Sequence, residues 1–298
     1  MTGPSVLVVG DAATDVISRM REPLAAGSDA VASIVTSEGG SGANVACWLA
    51  AQGVDAHFIG RIGADPQGLA QTAALRRQGV TPHLAVDGDR STGVVIVLVG
   101  ADGSRSMVSD RGANLTLSPA DIPVELFQPP RHLHLSGYAL LSEGSRQAAL
   151  HALRLARERG LTVSVDPSSA QPLRTAGADR FLDWTYAADL CLPNLDEALV
   201  LSGQEGAESA AAALAAFYGE VVVTMGAEGS LWTDGGSPVR AAAAPAPSVV
   251  DTTGAGDAFC AGFLASWLGG VPPAGALTAG ARLAARAVAR VGARPPRS

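Results

Sequence analysis

The sequence contains no lysine, and all 21 basic residues among its 298 are arginines. Without lysine the chain cannot have a P-loop lysine, the strand lysine of a protein kinase or a Schiff-base nucleophile. Any phosphate group that it binds must therefore be held by backbone N–H groups, by arginine or by a metal ion.

Positive charge and cysteine are also scarce. The formal net charge is −7, so no basic stripe is available for a nucleic-acid partner. No apolar run approaches the roughly 20 residues that cross a bilayer, and no signal peptide is recognisable, so we expect no membrane partner. Cys47, Cys191 and Cys260 lie far apart and outside any Cys-x-x-Cys pattern, which predicts buried thiols in a cytoplasmic protein.

Aromatic residues make up only 4% of the chain while 47% is hydrophobic, so alanine, valine and leucine must fill a sizeable core. Short apolar runs alternate with helical patterns, most clearly in the second half. This alternation predicts an α/β fold, a doubly wound and mostly parallel sheet flanked by helices, in a single domain over residues 1–298. The predicted strands are 6–10, 56–60, 132–137, 161–166, 189–194 and 221–226. The predicted helices are 42–52, 144–158 and 195–217, the last broken near Gly203.

Two segments depart from this alternation. Residues 12–37 carry valine and isoleucine without helical spacing. Residues 90–113 hold two β-rich runs around an Ala-Asp-Gly-Ser turn at 101–104, which is typical of a hairpin. We predict that the two segments form a small β-sheet lid apart from the main sheet. The Ala/Pro run at 241–247 is predicted to be an exposed connector.

The stretch DTTGAGDAF, residues 251–259, places small residues directly before an apolar helix. Phe259, Phe263 and Trp267 recur at i, i+4 and i+8, which predicts a helix with one buried face that begins near Gly256. The first-turn N–H groups of such a helix have no partners within it and carry the positive end of its dipole.

The small residues Gly254, Ala255 and Gly256 let an anion or a transferring phosphoryl group approach those N–H groups. Asp257 would compete with a resident anion. It is suited, however, to taking the proton from an attacking hydroxyl while the N–H groups stabilise the phosphoryl group. The alternative is that Asp257 only stabilises its own helix.

A second glycine-rich stretch, EGGSGANVA, covers residues 38–46. It again offers bare N–H groups before a helix, and Asn44 supplies both a donor and an acceptor. A dinucleotide fingerprint starting at Gly40 fails, because its third small residue would fall on Val45 and the preceding strand is poor.

Two aspartates, Asp11 and Asp15, follow the first predicted strand. They therefore lie at the carboxyl edge of the sheet, where ligands bind in folds of this class. A carboxylate there can accept hydrogen bonds from the hydroxyl groups of a polyol. The alternative for either aspartate is that it caps a loop.

GGSGANVA and DTTGAGDAF, in this order and spacing, resemble the two signatures of the ribokinase-like (PfkB) family of carbohydrate and nucleoside kinases. GRIGADPQG and LPNLDEALVLSG resemble two further blocks, so the resemblance covers essentially the whole chain. It implies an α/β domain with a β-sheet lid. It also implies ATP- and Mg²⁺-dependent transfer of the γ-phosphoryl group to a primary hydroxyl.

The resemblance implies roles for individual residues. It makes Asp257 the catalytic base and Gly254, Ala255 and Gly256 the anion hole. The implied acceptor contacts are Asp15, Gly39, Gly40 and Asn44. The implied residues on the nucleotide side are Asn194, Thr224, Gly226 and Gly229, with Glu197 arranging Mg²⁺ through water. For Asn194 and Glu197, a helix N-cap with a capping-box glutamate is a competing interpretation.

Departures from the family patterns concern the substrate and the ions. Ser41 stands where ribokinases often carry lysine, and DPSSAQP at 166–172 replaces the Asp-Pro-Asn-x-Arg of fructokinases and ketodeoxygluconate kinases, which weakens both assignments. K⁺-activated members place carbonyls at positions matching Asp251 and Thr253 and at a C-terminal Gly-Ala-x-Pro-Ser. Here Gly292 begins Gly-Ala-Arg-Pro-Pro, so K⁺ could be held by carbonyls only.

Three functions follow as hypotheses. The first is a sugar kinase, and the second is a nucleoside kinase of the adenosine or pseudouridine type. The second needs an aromatic face, yet the lid segments hold no Phe, Tyr or Trp, and we expect Trp48 and Tyr138 to pack in the core. The third is a catalytically silent sugar-binding regulator. Arg111 could reach a substrate anion, but a solvated charge is the simpler expectation. The resemblance also allows a homodimer through the lid.

Overall fold

The computed structural model describes residues 4–22, 27, 29–100, 105–129 and 131–296. The turn predicted at 101–104 lies outside these residues. The strands are β1 (Ser5–Val9), β2 (Ala13–Met20), β3 (Ala32–Gly39), β4 (Asp55–Gly63), β5 (Thr81–Asp87), β6 (Gly93–Val99), β7 (Arg105–Asp110), β8 (Arg131–Ser136), β9 (Thr162–Asp166), β10 (Leu190–Cys191), β11 (Glu220–Thr224), β12 (Ser230–Thr233) and β13 (Val239–Ala241). The helices are α1 (Ser41–Ala50), α2 (Pro66–Arg77), α3 (Gly137–Leu141), α4 (Glu143–Glu158), α5 (Ala170–Ala176), α6 (Ala178–Thr185), α7 (Leu195–Ser202), α8 (Ala207–Tyr218), α9 (Ala255–Leu268) and α10 (Pro273–Val288).

The described strands form two sheets. The main sheet has the order β13-β12-β11-β10-β9-β8-β1-β4-β5. Its pairs from β11 across to β5 are parallel, and only the β11–β12 and β12–β13 pairs are antiparallel. The predicted doubly wound, mostly parallel α/β sheet is thereby confirmed. In the described part of the chain, no helix is long and apolar enough to cross a bilayer.

The alternation of side chains along β1 shows why helices cover both faces of this sheet. Leu7 and Val9 are fully buried in one core cluster, and Val6 and Val8 are fully buried in the other. Because successive residues of a strand point to opposite faces, an all-apolar strand needs a helical layer on each side. The cluster around Leu7 includes residues of α4, α7 and α8, and the cluster around Val6 includes residues of α1, α9 and α10.

The lid is a separate four-stranded sheet with the order β3-β2-β6-β7. Strand β2 pairs antiparallel with β3 and parallel with β6, so Asp15 lies between Ser37 and Val95. The predicted small sheet is confirmed, although β3 runs to Gly39, two residues past the predicted segment. That the chain folds as a single domain over 1–298 stays a prediction.

The helix predicted at 195–217 divides into α7 and α8 around Gly203, which adopts a left-handed conformation with φ of +65°. The strand predicted at 189–194 is shorter than expected, because β10 ends at Cys191 and Pro193 has no N–H to donate to a ladder. The three cysteines are free and buried, as predicted.

Candidate active site

The beginning of α9 is fixed by a glycine that no other residue could replace without strain. Gly254, the N-cap, has φ of +75°. A Cβ on it would lie 2.5 Å from the Cβ of Ala293. The helix therefore begins at Ala255, next to α1, which packs against α9. The predicted small residues Gly254, Ala255 and Gly256 form this first turn.

Asp257 lies in the same turn and is hydrogen-bonded at both carboxylate oxygens. Ser41 Oγ donates to Oδ1 at 2.8 Å, and Asn44 Nδ2 donates to Oδ2 at 2.8 Å. Burial raises the pKa of Asp257 to about 7, although these hydrogen bonds favour the charged form. A carboxylate with such a pKa can accept a proton near neutral pH and release it again.

A cavity of about 380 Å³, the lid cavity, lies between this turn and the lid. Its lid side is formed by Val95, Val97, Met107 and Ser109. Its floor carries five carboxylates, those of Asp11, Asp15, Asp166, Glu197 and Asp257. The lid cavity is therefore aliphatic on one side and acidic on the other.

The predicted acceptor residues converge on the lid cavity. Asp15, Gly40 and Asn44 line it. Gly39 lies directly behind Asp15, because a Cβ on Gly39 would overlap the Asp15 carboxylate. Burial raises the pKa of Asp15 to about 7, and the positive charge of Arg294 opposes that shift.

Asn194 and Glu197 also line the lid cavity, and they form the capping box of α7. Asn194 Oδ1 accepts from the Glu197 backbone N–H at 3.0 Å, and Glu197 Oε2 accepts from the Asn194 N–H at 3.0 Å. Glu197 is only 2% exposed. Burial is the main reason that the pKa values of Glu197 and Asp166 are both raised, and the proximity of Glu197 raises that of Asp166 further. The competing capping interpretation is therefore correct for the helix, while a role toward a metal stays a prediction.

A second cavity of about 650 Å³, the alanine trough, lies on the other side of the α9 turn. Thr224, Gly226 and Gly229 line it, and their role on the nucleotide side stays a prediction. Its remaining walls are largely alanine, and they include the connector at 241–247. The alanine trough and the lid cavity share Thr224, Thr252, Gly256 and Phe259. The two cavities therefore meet at the α9 turn.

The three residues predicted to supply K⁺ carbonyls lie close together. The Asp251 carboxylate accepts from the Thr253 N–H at 2.9 Å and from the Gly292 N–H at 3.3 Å. This carboxylate therefore ties the loop before α9 to the C-terminal segment.

Arg111 and Tyr138 lie elsewhere than the sequence suggested. Arg111 is not a solvated charge, since its Nη1 lies 3.3 Å from Asp11 Oδ2 and its side chain is 24% exposed. Its guanidinium carbon lies 3.8 Å from the centroid of the Tyr138 ring, a cation–π contact. Both residues line the lid cavity, whereas Trp48 is fully buried in the core as expected. The expectation of a solvated charge for Arg111 is wrong, because its partners Asp11 and Tyr138 come from distant segments.

Sequence reasoning also left Asp166 and Ser41 outside the predicted site. Asp166 is the last residue of β9 and lines the lid cavity. Its position at the carboxyl edge of a parallel strand is the signal in the sequence that points to it. Ser41 stands where ribokinases often carry lysine, and its hydroxyl donates a hydrogen bond to Asp257.

Comparisons with known proteins match nearly the whole chain. The family model described as pfkB family carbohydrate kinase matches residues 4–298. The chain is 35% identical over 298 residues to the ATP-dependent ribose-1-phosphate kinase of Halopiger xanaduensis, covering 92% of each. It is 32% identical over 268 residues to a fructokinase of Klebsiella pneumoniae, covering 87% of this chain and 83% of that one.

Among solved structures, adenosine kinase from Sinorhizobium meliloti superimposes with a TM-score of 0.90 at 27% identity, covering 98% of this chain and 96% of that one. The fold, the family model and the relatives agree along nearly the full length of the chain. The protein is therefore a member of the pfkB family of carbohydrate kinases, a phosphotransferase with an alcohol group as acceptor.

Proposed function

We propose that this protein transfers the γ-phosphoryl group of ATP to a primary hydroxyl of a sugar. One observation carries the proposal. The Asp257 carboxylate, with a pKa of about 7, lies in the first turn of α9 where the lid cavity and the alanine trough meet. A proton acceptor at the junction of two cavities is what transfer between two bound substrates requires.

The alanine trough is the proposed site of the adenine and ribose. Its walls are small and apolar, and its volume of about 650 Å³ lies within the range typical of sites for small ligands. A nucleotide lying there would direct its phosphates toward Gly254, Ala255 and Gly256. The backbone N–H groups of a helix start can hold phosphate there without lysine.

The lid cavity is the proposed site of the acceptor. The carboxylates of Asp11 and Asp15 can each accept hydrogen bonds from sugar hydroxyls. Their acidic surroundings favour a neutral polyol over an anionic acceptor, because several buried carboxylates repel negative charge. The aliphatic lid residues Val95 and Val97 would cover the apolar edge of a sugar ring.

The proposed chemical step has Asp257 taking the proton of the acceptor hydroxyl as its oxygen attacks the γ-phosphorus. A new O–P bond forms, the bond between the γ-phosphorus and the bridging oxygen breaks, and ADP leaves. Ser41 and Asn44 hold the Asp257 carboxylate in place through the two hydrogen bonds described above. The N–H groups of the α9 turn face the charge that develops on the transferring group.

The carboxylates of Asp166 and Glu197 fit a Mg²⁺ ion. Oxygen ligands are those that Mg²⁺ prefers, and a cation beside these two carboxylates would favour the charged forms that burial disfavours by raising their pKa values. Within the described residues, no three acidic, histidine or cysteine side chains converge as a metal site by themselves, so the remaining ligands would be phosphate and water. Bound there, Mg²⁺ would neutralise charge on the phosphate oxygens.

K⁺ and the cellular location follow as smaller parts of the proposal. Asp251 and Thr253 lie directly before the α9 turn, and a hydrogen bond ties Gly292 of the C-terminal segment to Asp251, so a K⁺ ion held by carbonyls there would add positive charge near the transferring group. We place the reaction in the cytoplasm, where MgATP is supplied and the three buried thiols stay reduced.

A nucleoside acceptor is the second candidate. The similarity to an adenosine kinase and the Tyr138 ring in the lid cavity favour it. Arg111, however, already occupies one face of that ring, which leaves less room for a base to stack. Arg111 is the one arginine among the described residues that line the lid cavity. It would therefore contact an acceptor that carries phosphate, such as the ribose 1-phosphate in the name of one relative.

A homodimer through the lid is part of the same proposal. The lid exposes apolar side chains that a monomer would leave in water, and the described ones that are at least 40% exposed are Val31, Ile34, Val35, Ile96, Met107 and Val108. A second copy pairing lid to lid would bury them. Sedimentation of the protein at micromolar concentration tests this, since a monomer there contradicts the proposal.

The experiment that tests the function is ADP release from MgATP with a panel of acceptors. The panel contains ribose, fructose, ketodeoxygluconate, ribose 1-phosphate, adenosine and pseudouridine, each with and without K⁺. We expect one neutral sugar to give the highest rate. A nucleoside or a sugar phosphate as the best acceptor would favour the second candidate or the Arg111 contact. Binding of a sugar without any ADP release would contradict the kinase and favour a regulator.

A further inference from the structure

The C-terminal segment 292–296 is held against the rest of the protein at several points. Trp48 Nε1 donates to the carbonyl of Ala293 at 2.8 Å, and Gln78 Nε2 donates to the carbonyl of Pro295 at 3.2 Å. Arg294 lies between these two anchored residues. The segment therefore presents Arg294 in a fixed position.

The guanidinium of Arg294 binds three acceptors at the base of the lid. Nη2 donates to the Gly39 carbonyl at 2.9 Å and to Gln71 Oε1 at 2.6 Å, and Nε donates to Asn44 Oδ1 at 3.3 Å. Gln71 is fully buried, and its Nε2 donates in turn to the carbonyl of Ala13 in β2. Arg294 therefore joins the start of α1 directly to the end of β3 and, through Gln71, to the start of β2.

The contact with Asn44 determines which end of its amide faces Asp257. An asparagine amide has one end that only accepts and one end that only donates. Since Oδ1 is turned toward Arg294, Nδ2 faces Asp257 and donates to it. With the amide turned over, Oδ1 would face the Asp257 carboxylate, and the two oxygens would repel each other.

We propose that Arg294 is a positioning residue, which fixes the Asn44 amide so that its NH₂ group holds the Asp257 carboxylate ready for the acceptor hydroxyl. The inference rests on the proposed role of Asp257 as base. Arg294 acts through Asn44 and does not itself line the lid cavity.

The surroundings of Arg294 indicate that its shape matters as well as its charge. Its Nη1 is buried without a hydrogen-bond partner among the described residues, and no ion pair of Arg294 with a described carboxylate is found at 4.0 Å or closer. Burying an unsatisfied donor costs free energy. A planar fork reaches three acceptors that the single ammonium of lysine would not reach together.

The kinetic test compares Arg294→Lys, Arg294→Met and Asn44→Ala with the control Arg290→Met, which removes a charge from the same part of the chain. We expect kcat to fall roughly 10- to 100-fold in both Arg294 variants, because a hydrogen bond to a charged group is lost. The KM for MgATP and the kinetics of Arg290→Met should stay within about twofold of the unmodified protein. The double variant Asn44→Ala/Arg294→Met should be no slower than Asn44→Ala. Full activity of Arg294→Lys would overturn the proposal. So would a double variant whose loss of kcat is the product of the two single losses, because Asn44 and Arg294 would then act independently.

A second readout needs no acceptor and so separates this inference from the proposed function. Titration of the Asp257 carboxyl by ¹³C NMR should give a higher pKa in Arg294→Lys, Arg294→Met and Asn44→Ala, because the Asn44 hydrogen bond lowers that pKa. Arg290→Met should leave it unchanged. If the unmodified protein phosphorylates nothing, the proposed function fails while this titration still decides the role of Arg294. An unchanged pKa in folded Arg294→Lys would refute it.

Discussion

The lid cavity and the alanine trough share one helix turn but are built by different means. The lid cavity is lined by charged side chains, with five carboxylates and one arginine among its described residues. The alanine trough is lined mostly by alanine and glycine, with a few threonine, serine, valine, proline and phenylalanine residues, and carries no charged side chain among its described residues. The first cavity therefore has the groups that can move a proton, while the second offers a ligand uncharged contacts: small apolar walls, a few hydroxyls and backbone dipoles.

This difference separates two kinds of sensitivity. A substitution in the lid cavity changes charge and proton transfer, so we expect it to change kcat. A substitution in the alanine trough changes the available volume, so we expect it to change the affinity for nucleotide. Where the two cavities meet, at Gly256, a substitution should affect the transfer step itself. Substitutions in each cavity and in the turn between them therefore test this division.

Asp257→Asn should lower kcat by roughly 10²- to 10⁴-fold, the contribution of a general base. The amide keeps the shape of the carboxylate but cannot take up the proton of an acceptor hydroxyl. The measurement is steady-state ADP release, with nucleotide-induced thermal stabilisation as the control for an intact trough. Turnover within a few-fold of the unmodified protein would show that the lid cavity does not supply the base.

Alanine substitutions at the two glycines of the α9 turn should have different effects, one on stability and the other on turnover. Gly254→Ala should destabilise the protein by about 1–3 kcal/mol, because the residue has positive φ and the new Cβ would collide with Ala293. Gly256→Ala has no atom within 4 Å of the new Cβ, so it should leave the unfolding midpoint unchanged or higher. It should nevertheless slow turnover about tenfold, because its methyl group stands where the cavities meet. Urea unfolding and kcat measured on both variants check this, and a fully active Gly256→Ala would contradict it.

Ala284→Phe should fill part of the alanine trough, because Ala284 lines it. We expect the KM for ATP to rise about tenfold and the KM for the acceptor to change little, since a lost or blocked apolar contact costs about 1–3 kcal/mol. Ala274→Phe, on an exposed part of the same helix, is the matched control. Equal effects on both substrates would show that the two cavities are not independent.

The stability of the protein should fall as the pH rises from about 6.5 to 8. Burial raises the pKa values of Asp15, Asp166, Glu197 and Asp257, so in this range the native state still holds protons that the unfolded chain has released. Below pH 6.5 the buried His132 and His134 act in the opposite sense, because burial lowers their pKa values to about 3.

Urea midpoints measured at pH 6.5, 7.2 and 8.0 check this prediction. The fall should be smaller in Asp257→Asn, which has one buried carboxylate fewer. It should also be smaller with Mg²⁺, which compensates the charge of the remaining carboxylates. A midpoint that does not change with pH in the unmodified protein would contradict the acidic character assigned to the lid cavity.

The sequence predicted the parts of the site that depend on local pattern. The helix spacing of Phe259, Phe263 and Trp267 located α9, and the small residues before it located the turn between the cavities. The alternation of strands and helices predicted the parallel sheet, and its carboxyl edge indicated Asp11 and Asp15 as candidate ligand contacts. The lid followed from segments that lacked helical spacing.

What the sequence could not predict depends on contacts between distant segments. Arg294 binds Asn44 across 250 residues, and Ser41 binds Asp257 across 216. Neither pairing leaves a periodic or local signal. The cation–π contact of Arg111 with Tyr138 is of the same kind, which is why both side chains were expected elsewhere.

The measurement that tests the central claim most directly is binding of the acceptor to Asp257→Asn saturated with MgATP, by isothermal titration calorimetry. Two adjoining cavities with one ligand each predict a stable ternary complex, in which the acceptor binds about as tightly as it does without nucleotide and no ADP is released. If bound MgATP instead abolishes acceptor binding, both ligands compete for one cavity, and the division of the site described above is wrong.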